Sequence, residues 1–308
     1  MSRRDETIRK HDELPGATRL EAQGLAWLAE AMPDGGAHVV PAAIGEGWIE
    51  EPRLTPTQVS ARAAEDFGRA LAVTHAAGAP VFGAAPPGWD GRTRMGRSDV
   101  RLRPCGPEPA GEAPRRWGEF FADDRLAPYL RPCRDSGALS AGGVTVLERV
   151  CERLRGGDFD AEQPELVRRA ARERGDRVAV ARTHGDLWTG NVLWTPRGRT
   201  FAWAPPAAGL GSAPGGAAAP NPRRNDIVGV LIDPLAHGAH AETDLAALGV
   251  FGQRHLERII AGYDEVSPLA DGWRERTGLH RLHMLIIHAF LFGGPYGAET
   301  VSVARHYA

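Results

Sequence analysis

Two short motifs in the second half of the chain constrain its fold more than any other feature. The first runs from His184 to Asn191 and places a carboxylate, Asp186, five positions before a carboxamide, Asn191. The second is an apolar run at residues 230–232 that ends in Asp233. A buried strand that delivers an acid beside such a loop is typical of phosphoryl-transfer sites. The pattern therefore predicts that Asp186 handles the proton of an attacking hydroxyl, and that Asn191 and Asp233 bind magnesium.

The wording around these motifs is similar to that of one known family. Residues 184–194 read HGDLWTGNVLW, and residues 232–252 read IDPLAHGAHAETDLAALGVFG. Together they closely resemble the fructosamine kinase (ketosamine kinase) family, a branch of the kinase-like fold that includes the aminoglycoside phosphotransferases. The resemblance runs from about Lys10 to the C-terminus, because stretches such as WGEFF at residues 117–121 also agree. A lone HGD would be a weak signal, whereas the extended string with Asp233 in register is a strong one.

The resemblance implies an α+β, protein-kinase-like fold with two lobes, a truncated N-lobe sheet and a mostly helical C-lobe. We expect residues 1–54 to form the shortened N-lobe and residues 55–308 to form the C-lobe. The implied activity is an ATP- and Mg²⁺-dependent phosphotransferase that phosphorylates the third hydroxyl of a ketosamine, the sugar adduct of an amine, in deglycation. The identity of the sugar, and whether the adduct is small or protein-bound, stay open.

The basic residues of the chain are almost all arginines. Of the 37 lysines and arginines, Lys10 is the one lysine. A kinase-like fold needs a compact ammonium at the nucleotide phosphates, and the rigid fork of arginine is not equivalent there. We predict that Lys10 ends a strand at residues 7–10 and pairs with Glu21. Residues 21–28, EAQGLAWL, match the family's wording for the helix after that strand, and Gly24 within it indicates close packing of another element.

The segment before Lys10 is short. Nine residues precede it, and none of them is glycine. Protein kinases cover the phosphates with a glycine-rich loop between their first two strands, so we expect this loop to be absent. Three interpretations stay open: a shortened branch that binds nucleotide without the loop, a recorded start downstream of the true one, or impaired nucleotide binding. A nucleotide-binding pseudokinase is therefore an alternative function, as is an aminoglycoside or choline kinase.

The remaining N-lobe is expected to be brief. A strand within residues 38–44 is predicted to pair with a second one that leads to the hinge. In this fold the hinge backbone binds the adenine edge, so Gly47, Trp48 and Ile49 are candidates by position. Residues 55–56, Thr-Pro, then predict the start of a helix, because a capping side chain followed by proline favours that position.

Five residues are candidates for contact with the substrate: Trp117, Glu119, Trp188, His237 and His240. The first three could equally be core or surface residues. The two histidines are expected to line a sugar pocket or to brace Asp233. A zinc site is discounted, because no third soft ligand is placed to complete it. Asp244 is predicted to anchor the catalytic loop through hydrogen bonds.

The composition excludes several classes of function. A net charge of −2 and a pI near 6.6 provide no basic surface for nucleic acid or an anionic membrane. Three widely spaced cysteines suggest neither a disulfide framework nor a zinc knuckle. No apolar run reaches the length of a membrane span, and the first residues lack the apolar core of a signal peptide. We therefore expect a cytoplasmic protein without nucleic-acid or membrane partners; its oligomeric state stays open.

One stretch departs from the family. Residues 198–229 are rich in glycine, alanine and proline and contain little to bury. Hairpin loops normally have about two to five residues. The stretch is therefore interpreted as an insertion in the hairpin between Asn191 and Asp233, and it is expected to be disordered.

Overall fold

Strands and helices alternate in the first quarter of the chain, and helices dominate the rest. The computed structural model describes residues 7–106, 113–197 and 226–308. The strands are β1 (Thr7–His11), β2 (His38–Val39), β3 (Ala43–Gly45), β4 (Trp48–Pro52), β5 (Arg94–Met95), β6 (Ser98–Asp99), β7 (Ala181–Thr183), β8 (Val192–Pro196), β9 (Ile227–Leu231) and β10 (His237–Ala239). The α-helices are α1 (Ala17–Ala29), α2 (Ala61–Ala76), α3 (Trp117–Phe120), α4 (Ala127–Asp135), α5 (Ala141–Gly156), α6 (Glu165–Arg174), α7 (Ala241–Leu248), α8 (Leu256–Val266), α9 (Trp273–Phe292) and α10 (Pro295–Ala304).

An antiparallel sheet in the order β1-β4-β3 carries the first site residues. Lys10 on β1 lies opposite Ile49 on β4, which in turn pairs with Ile44 on β3. Side chains directly opposite one another in an antiparallel pair face the same side of the sheet. Ile49 is completely buried there, so the sheet has an apolar centre beside which the Lys10 side chain projects.

Strand β2 does not belong to this sheet, contrary to the prediction that residues 38–44 form one N-lobe strand. His38 and Val39 pair in parallel with Val230 and Leu231 of β9, and the sheet order is β2-β9-β8. The remaining part, Ala43–Gly45, pairs with β4 as expected. The apolar residues Val39 and Val40 are buried in the main core, which explains why this short segment leaves the N-terminal sheet.

Helix α2 begins later than the Thr-Pro pair at residues 55–56 predicts. The backbone N–H of Thr57 donates to the carbonyl of Trp194 at 2.8 Å, which holds this segment in an extended form against β8. The N-cap is Ser60, whose hydroxyl accepts from the N–H of Ala63 at 3.2 Å. A strand-like contact with β8 therefore takes precedence over the local helix-start signal.

The helical part of the molecule is built around a close crossing of α2 and α8. A Cβ atom on Gly68 would lie 1.9 Å from the carbonyl oxygen of Ile259, and one on Gly262 would lie 2.1 Å from that of Glu65. Glycine is required at both positions because the two backbones approach so closely. Among the described residues, no helix is both long and apolar enough to cross a membrane.

Two antiparallel strand pairs, the hairpin β8-β9 and the pair β7-β10, carry site residues beside this helical body. Strands β8 and β9 pair from Val192 opposite Leu231 to Pro196 opposite Ile227. Strands β7 and β10 pair through Thr183 and His237. The first hairpin confirms the predicted link between the two motifs. Because β9 begins at Ile227, the glycine-, alanine- and proline-rich stretch is shorter than predicted, and its residues 198–225 lie outside the described ranges.

Candidate active site

The loop after β7 carries the first group of predicted site residues. Its backbone is anchored by the buried carboxylate of Asp244, which accepts from the N–H of His184 at 2.6 Å and from that of Gly185 at 3.1 Å. His75 contacts the same carboxylate at 3.2 Å. Gly185 has φ +80°, and a Cβ there would lie 2.1 Å from the carbonyl oxygen of Leu235. These contacts fix the loop and agree with the anchoring role predicted for Asp244.

Asp186 and Asn191 meet at the end of this loop. The side-chain amide nitrogen of Asn191 donates to the backbone carbonyl of Asp186 at 2.8 Å and to its carboxylate at 3.1 Å. Burial raises the pKa of Asp186 to about 7, although the hydrogen bond from Asn191 opposes this shift. A carboxyl with a pKa near neutrality is suited to accept a proton from a hydroxyl.

Asp233 follows β9 and lies beside the same loop. Its φ of +51° is one of two positive values among the described non-glycine residues, and such backbone strain often occurs at functional sites. The N–H of Ile232 donates to the carbonyl of Asn191 at 3.2 Å, so the hairpin holds the two predicted metal ligands together. Since the amide nitrogen of Asn191 bonds to Asp186, its amide oxygen is the atom that can bind a cation.

The lysine of β1 joins this group from the opposite side. Its ammonium lies 2.6 Å from a carboxylate oxygen of Glu21 and also forms an ion pair with Asp233. A third carboxylate, that of Glu51, lies 3.1 Å away. Burial alone would lower the pKa of Lys10, but the hydrogen bonds that its ammonium donates to Asp233 and Glu21, and the charge of Glu51, raise it overall. Lys10 is therefore held as a cation.

Glu51 is a site residue that the sequence analysis did not identify. It is 5% exposed, and its second carboxylate oxygen has no hydrogen-bond partner among the described residues. Burial raises the pKa of both Glu51 and Glu21, and the charge of Lys10 opposes this shift. The alternation of side chains along β4 could have indicated that Glu51 is buried, because Glu51 and the buried Ile49 point to the same face of the sheet.

The nucleotide contacts expected at Gly47, Trp48 and Ile49 are not where a hinge would place them. Gly47 lies in the turn between β3 and β4, where its carbonyl accepts from the N–H of Asp12 at 2.9 Å. Trp48 and Ile49 lie on the central strand of the sheet, which pairs on both sides. Their backbone groups therefore face neighbouring strands of the sheet, and the link to the helical part begins after Pro52.

The five substrate candidates do not gather in one pocket. Trp117 is 4% exposed and stacks on Phe121, while Glu119 bonds to the backbone and side chain of Arg116. His237 and His240 are buried, and burial lowers the pKa of His237 to about 3 and that of His240 to about 4. Trp188 is 36% exposed beside the catalytic loop. Of these five residues, Trp188 and Glu119 have exposed side chains, whereas Trp117, His237 and His240 are buried.

A buried cluster around Glu242 has the composition of a metal site but is fully bonded. His240 accepts from the N–H of Glu242 and contacts the carbonyl of Glu162 with its other ring nitrogen. His280 contacts Thr243 at 2.9 Å and Glu242 at 3.2 Å. Arg276 forms two hydrogen bonds to the same carboxylate. Because these ring nitrogens and the carboxylate are already bonded, the cluster stabilises the fold.

A cleft of about 750 Å³ connects several of the predicted site residues. Lys10, Glu21, Asp186 and Asp233 all line it. Its remaining walls come from the start of α1, from residues 92–96 around β5, and from residues 234–235. Oxygen ligands from one or two carboxylates, completed by substrate phosphates, are the usual protein contribution to a Mg²⁺ site. Asp233 and Asn191 fit that description.

Comparison with known proteins agrees with this geometry. The family model for fructosamine kinase matches residues 19–307. The chain belongs to the fructosamine kinase family. The resemblance stated from the sequence motifs is thereby confirmed.

Individual relatives of this family member support the same assignment. A crystal structure of a fructosamine-3-kinase candidate from Thermobifida fusca is 34% identical and superposes with a TM-score of 0.71, covering 98% of this chain and 85% of that one. The gentamicin complex of APH(2″)-IIa, at 9% identity and a TM-score of 0.53, covers 98% of this chain and 87% of that one and shows the kinase-like fold alone. The expected fold class is confirmed.

A curated relative from Klebsiella aerogenes is named "probable ketoamine kinase". It is 27% identical over 182 residues, which cover 59% of this chain and 46% of that protein. The chain of this fructosamine kinase family member therefore spans about half the length of the curated relatives it matches.

Proposed function

We propose that the protein is an ATP-dependent kinase that phosphorylates the third hydroxyl of a ketosamine, as the first step of deglycation. The observation that carries this proposal is the convergence of Lys10, Asp186 and Asp233 on one cleft, with Asn191 hydrogen-bonded to the carboxylate of Asp186. These residues come from three separate parts of the chain, and each matches a role that phosphoryl transfer requires.

The reaction forms a bond between the acceptor oxygen and the γ-phosphorus of ATP. The bond between that phosphorus and the bridging oxygen of ADP breaks, and ADP leaves with the electron pair. The carboxylate of Asp186 accepts the hydroxyl proton, and its raised pKa suits this exchange near neutral pH. Asn191 fixes the orientation of Asp186 through its amide nitrogen. Catalysis then depends on alignment of the two reactants.

Two further groups prepare the phosphates. Asn191 and Asp233 would hold Mg²⁺, which neutralises charge on the phosphate oxygens when it is bound. Lys10 supplies a compact positive charge, and Glu21 keeps it directed into the cleft through the 2.6 Å ion pair. The sugar acceptor would reach Asp186 from the part of the cleft that is lined by α1 and residues 92–96.

The proposal is tested by magnesium-dependent ADP release with a fructosamine and a ribulosamine as acceptors. Asp186→Asn serves as the blank, and Asp66→Asn, which changes an acid on the exposed face of α2, serves as the matched control. We expect turnover in the wild type and in the control, and a loss of roughly 10²- to 10⁴-fold in Asp186→Asn with ATP binding retained.

Three results would contradict parts of the proposal. Turnover by Asp186→Asn equal to that of the wild type would show that Asp186 does not accept the hydroxyl proton. Intact ATP binding without turnover of either acceptor would favour a pseudokinase or another acceptor. Loss of ATP binding in the wild-type chain would exclude kinase activity for this chain.

A further inference from the structure

The lining of the cleft contains two groups of charged side chains. Glu21 and Asp233 pair with Lys10 in one group, whereas Arg92 and Arg94 line the wall formed around β5. Both arginines contact one carboxylate, that of Asp99, at 2.5 Å and 2.8 Å. Two guanidinium groups and one carboxylate leave this wall with a net positive charge. The function proposed above assigns no role to that charge.

The wall is tied to the helical body, which gives the arginines defined positions. Ser98, on the second strand of the β5-β6 hairpin, donates to the hydroxyl of Tyr129 at 2.6 Å. Arg97, at the turn, donates to the carbonyl of Leu291 at 3.0 Å. The indole N–H of Trp89 donates to the hydroxyl of Thr93 at 2.9 Å, immediately beside Arg92. A recognition group on a supported element is positioned better than one on a free loop.

The position of the wall indicates which substrate it meets. The described residues that line the cleft do not include the segment 53–60, which connects the N-terminal sheet to the helical part. In this fold that connection marks the adenine side of the site. Arg92 and Arg94 instead share the cleft with Asp186 and the start of α1, the side on which a hydroxyl acceptor approaches.

Arginine presents five N–H donors in a planar fork that matches carboxylate and phosphate groups. Each of the two guanidinium groups bonds to Asp99 through one nitrogen, so further donors remain on both. A ketosamine formed on a free amino acid carries a carboxylate close to its sugar, and one formed from a sugar phosphate carries a phosphate ester. Either anion would neutralise the net positive charge of this wall.

We propose that Arg92 and Arg94 bind an anionic group of the acceptor and so select anionic ketosamines over neutral ones. The inference rests on the proposed function, because it assigns the acceptor to this cleft. Two kinds of acceptor carry such an anionic group: amino-acid adducts carry a carboxylate, and adducts of sugar phosphates carry a phosphate.

Three acceptors separate these sources: the fructosamine of glycine, that of glycinamide, and that of glycinamide with a phosphate on the last sugar carbon. The variant is Arg92→Gln with Arg94→Gln. The matched control is Arg62→Gln, which removes an exposed positive charge from α2, away from the cleft and from the β5-β6 hairpin. Two quantities are measured for each protein: kcat/KM from ADP release, and acceptor affinity without ATP by calorimetry.

We expect the wild type and the control to prefer one anionic acceptor over the neutral one by roughly ten- to a hundredfold, the range for hydrogen bonds to charged groups. The double variant should lose this preference and keep its kcat/KM for the neutral acceptor. Preference for the glycine adduct would assign the carboxylate, and preference for the phosphorylated adduct would assign the phosphate.

Failure of the inference is distinct from failure of the proposed function. Turnover of the three acceptors at equal kcat/KM, or a preference that the double variant retains, would overturn the inference and leave the kinase activity standing. Absence of turnover would count against the proposed function, and the calorimetric affinities would still decide the inference. A double variant that loses ATP affinity instead of acceptor preference would assign the arginines to the nucleotide and overturn the inference.

Discussion

The ammonium nitrogen of Lys10 lies 2.6 Å from Oε1 of Glu21. One residue comes from the edge strand β1 and the other from the first turns of α1. The same ammonium contacts Glu51 at 3.1 Å and also pairs with Asp233. Three carboxylates thus converge on one compact cation.

Lys10→Arg should therefore weaken nucleotide use although it keeps the charge. The planar fork of arginine cannot place one nitrogen among three carboxylates in this way. We expect kcat/KM for ATP to fall roughly ten- to a hundredfold, the equivalent of one lost hydrogen bond to a charged group. Arg9→Lys, on the exposed neighbour that pairs with Glu50, is the control and should leave this value unchanged. An unchanged value in Lys10→Arg would contradict the role of Lys10.

Asp244→Asn should destabilise the fold and misplace the catalytic loop together. The carboxylate is 1% exposed and accepts from His184 and Gly185, and the amide of asparagine would direct a donor toward one of these N–H groups. We expect a loss of about 3 kcal/mol in the free energy of unfolding, measured in urea, and a reduced kcat. The exposed Asp66→Asn should lose less than about 0.5 kcal/mol. Equal losses in the free energy of unfolding would show that the hydrogen bonds of Asp244 stabilise the fold no more than an exposed carboxylate does.

Two glycine substitutions should change stability in opposite directions. In Gly68→Ala the new Cβ would lie 1.9 Å from the carbonyl oxygen of Ile259, so α2 and α8 must separate. We expect a loss of about 2 kcal/mol or more. In Gly142→Ala on α5 no atom lies within 4 Å of the new Cβ, and the smaller entropy of the unfolded chain should stabilise the protein by up to about 1 kcal/mol. Thermal unfolding of both variants checks the pair, and a stabilised Gly68→Ala would refute the close crossing.

Acidification should destabilise the protein through its buried histidines. Burial lowers the pKa of His240 to about 4, whereas an imidazole in the unfolded chain titrates near about 6.5. Between these values the unfolded state binds more protons than the folded state, so the free energy of unfolding falls as the pH is lowered. His240 alone should cost roughly 2 kcal/mol at about pH 5 relative to about pH 8.

Urea unfolding across this pH range measures the effect. His240→Gln should flatten the profile, because glutamine does not titrate. His306→Gln, at an exposed position of the last turn, should leave the slope unchanged. A wild-type profile that is flat between about pH 8 and pH 5 would be inconsistent with neutral, buried imidazoles.

The elements that the sequence predicted well are those fixed by nearby residues. Strand β1 (Thr7–His11) contains the predicted strand at residues 7–10, and helix α1 (Ala17–Ala29) contains the predicted helical stretch 21–28. The hairpin β8-β9 formed as expected, because both of its strands end in recognisable motifs. The family resemblance supplied the roles of Lys10 and Glu21, and the structure brings these two residues together.

The features that sequence reasoning missed depend on contacts between distant segments. The pairing of His38 with Val230 joins strands that lie about 190 positions apart, and no local pattern indicates it. The true start of α2 was hidden because Trp194 holds the preceding segment extended. Glu51 was missed because an acid on a strand is usually solvated, and its burial beside Lys10 appears once the sheet is assembled.

The absent side chain of Gly24 allows close packing between two segments of the proposed nucleotide site. A Cβ there would lie 3.2 Å from Pro234 and 3.3 Å from Ala236, so α1 rests directly on the residues that follow Asp233. This packing fixes the helix that carries Glu21 against the segment that follows Asp233, although the two residues are more than 200 positions apart. In protein kinases, displacement of the equivalent helix controls activity. If α1 moved outward, it would lose its contact with Pro234. Packing within the chain therefore keeps Glu21 of α1 paired with Lys10.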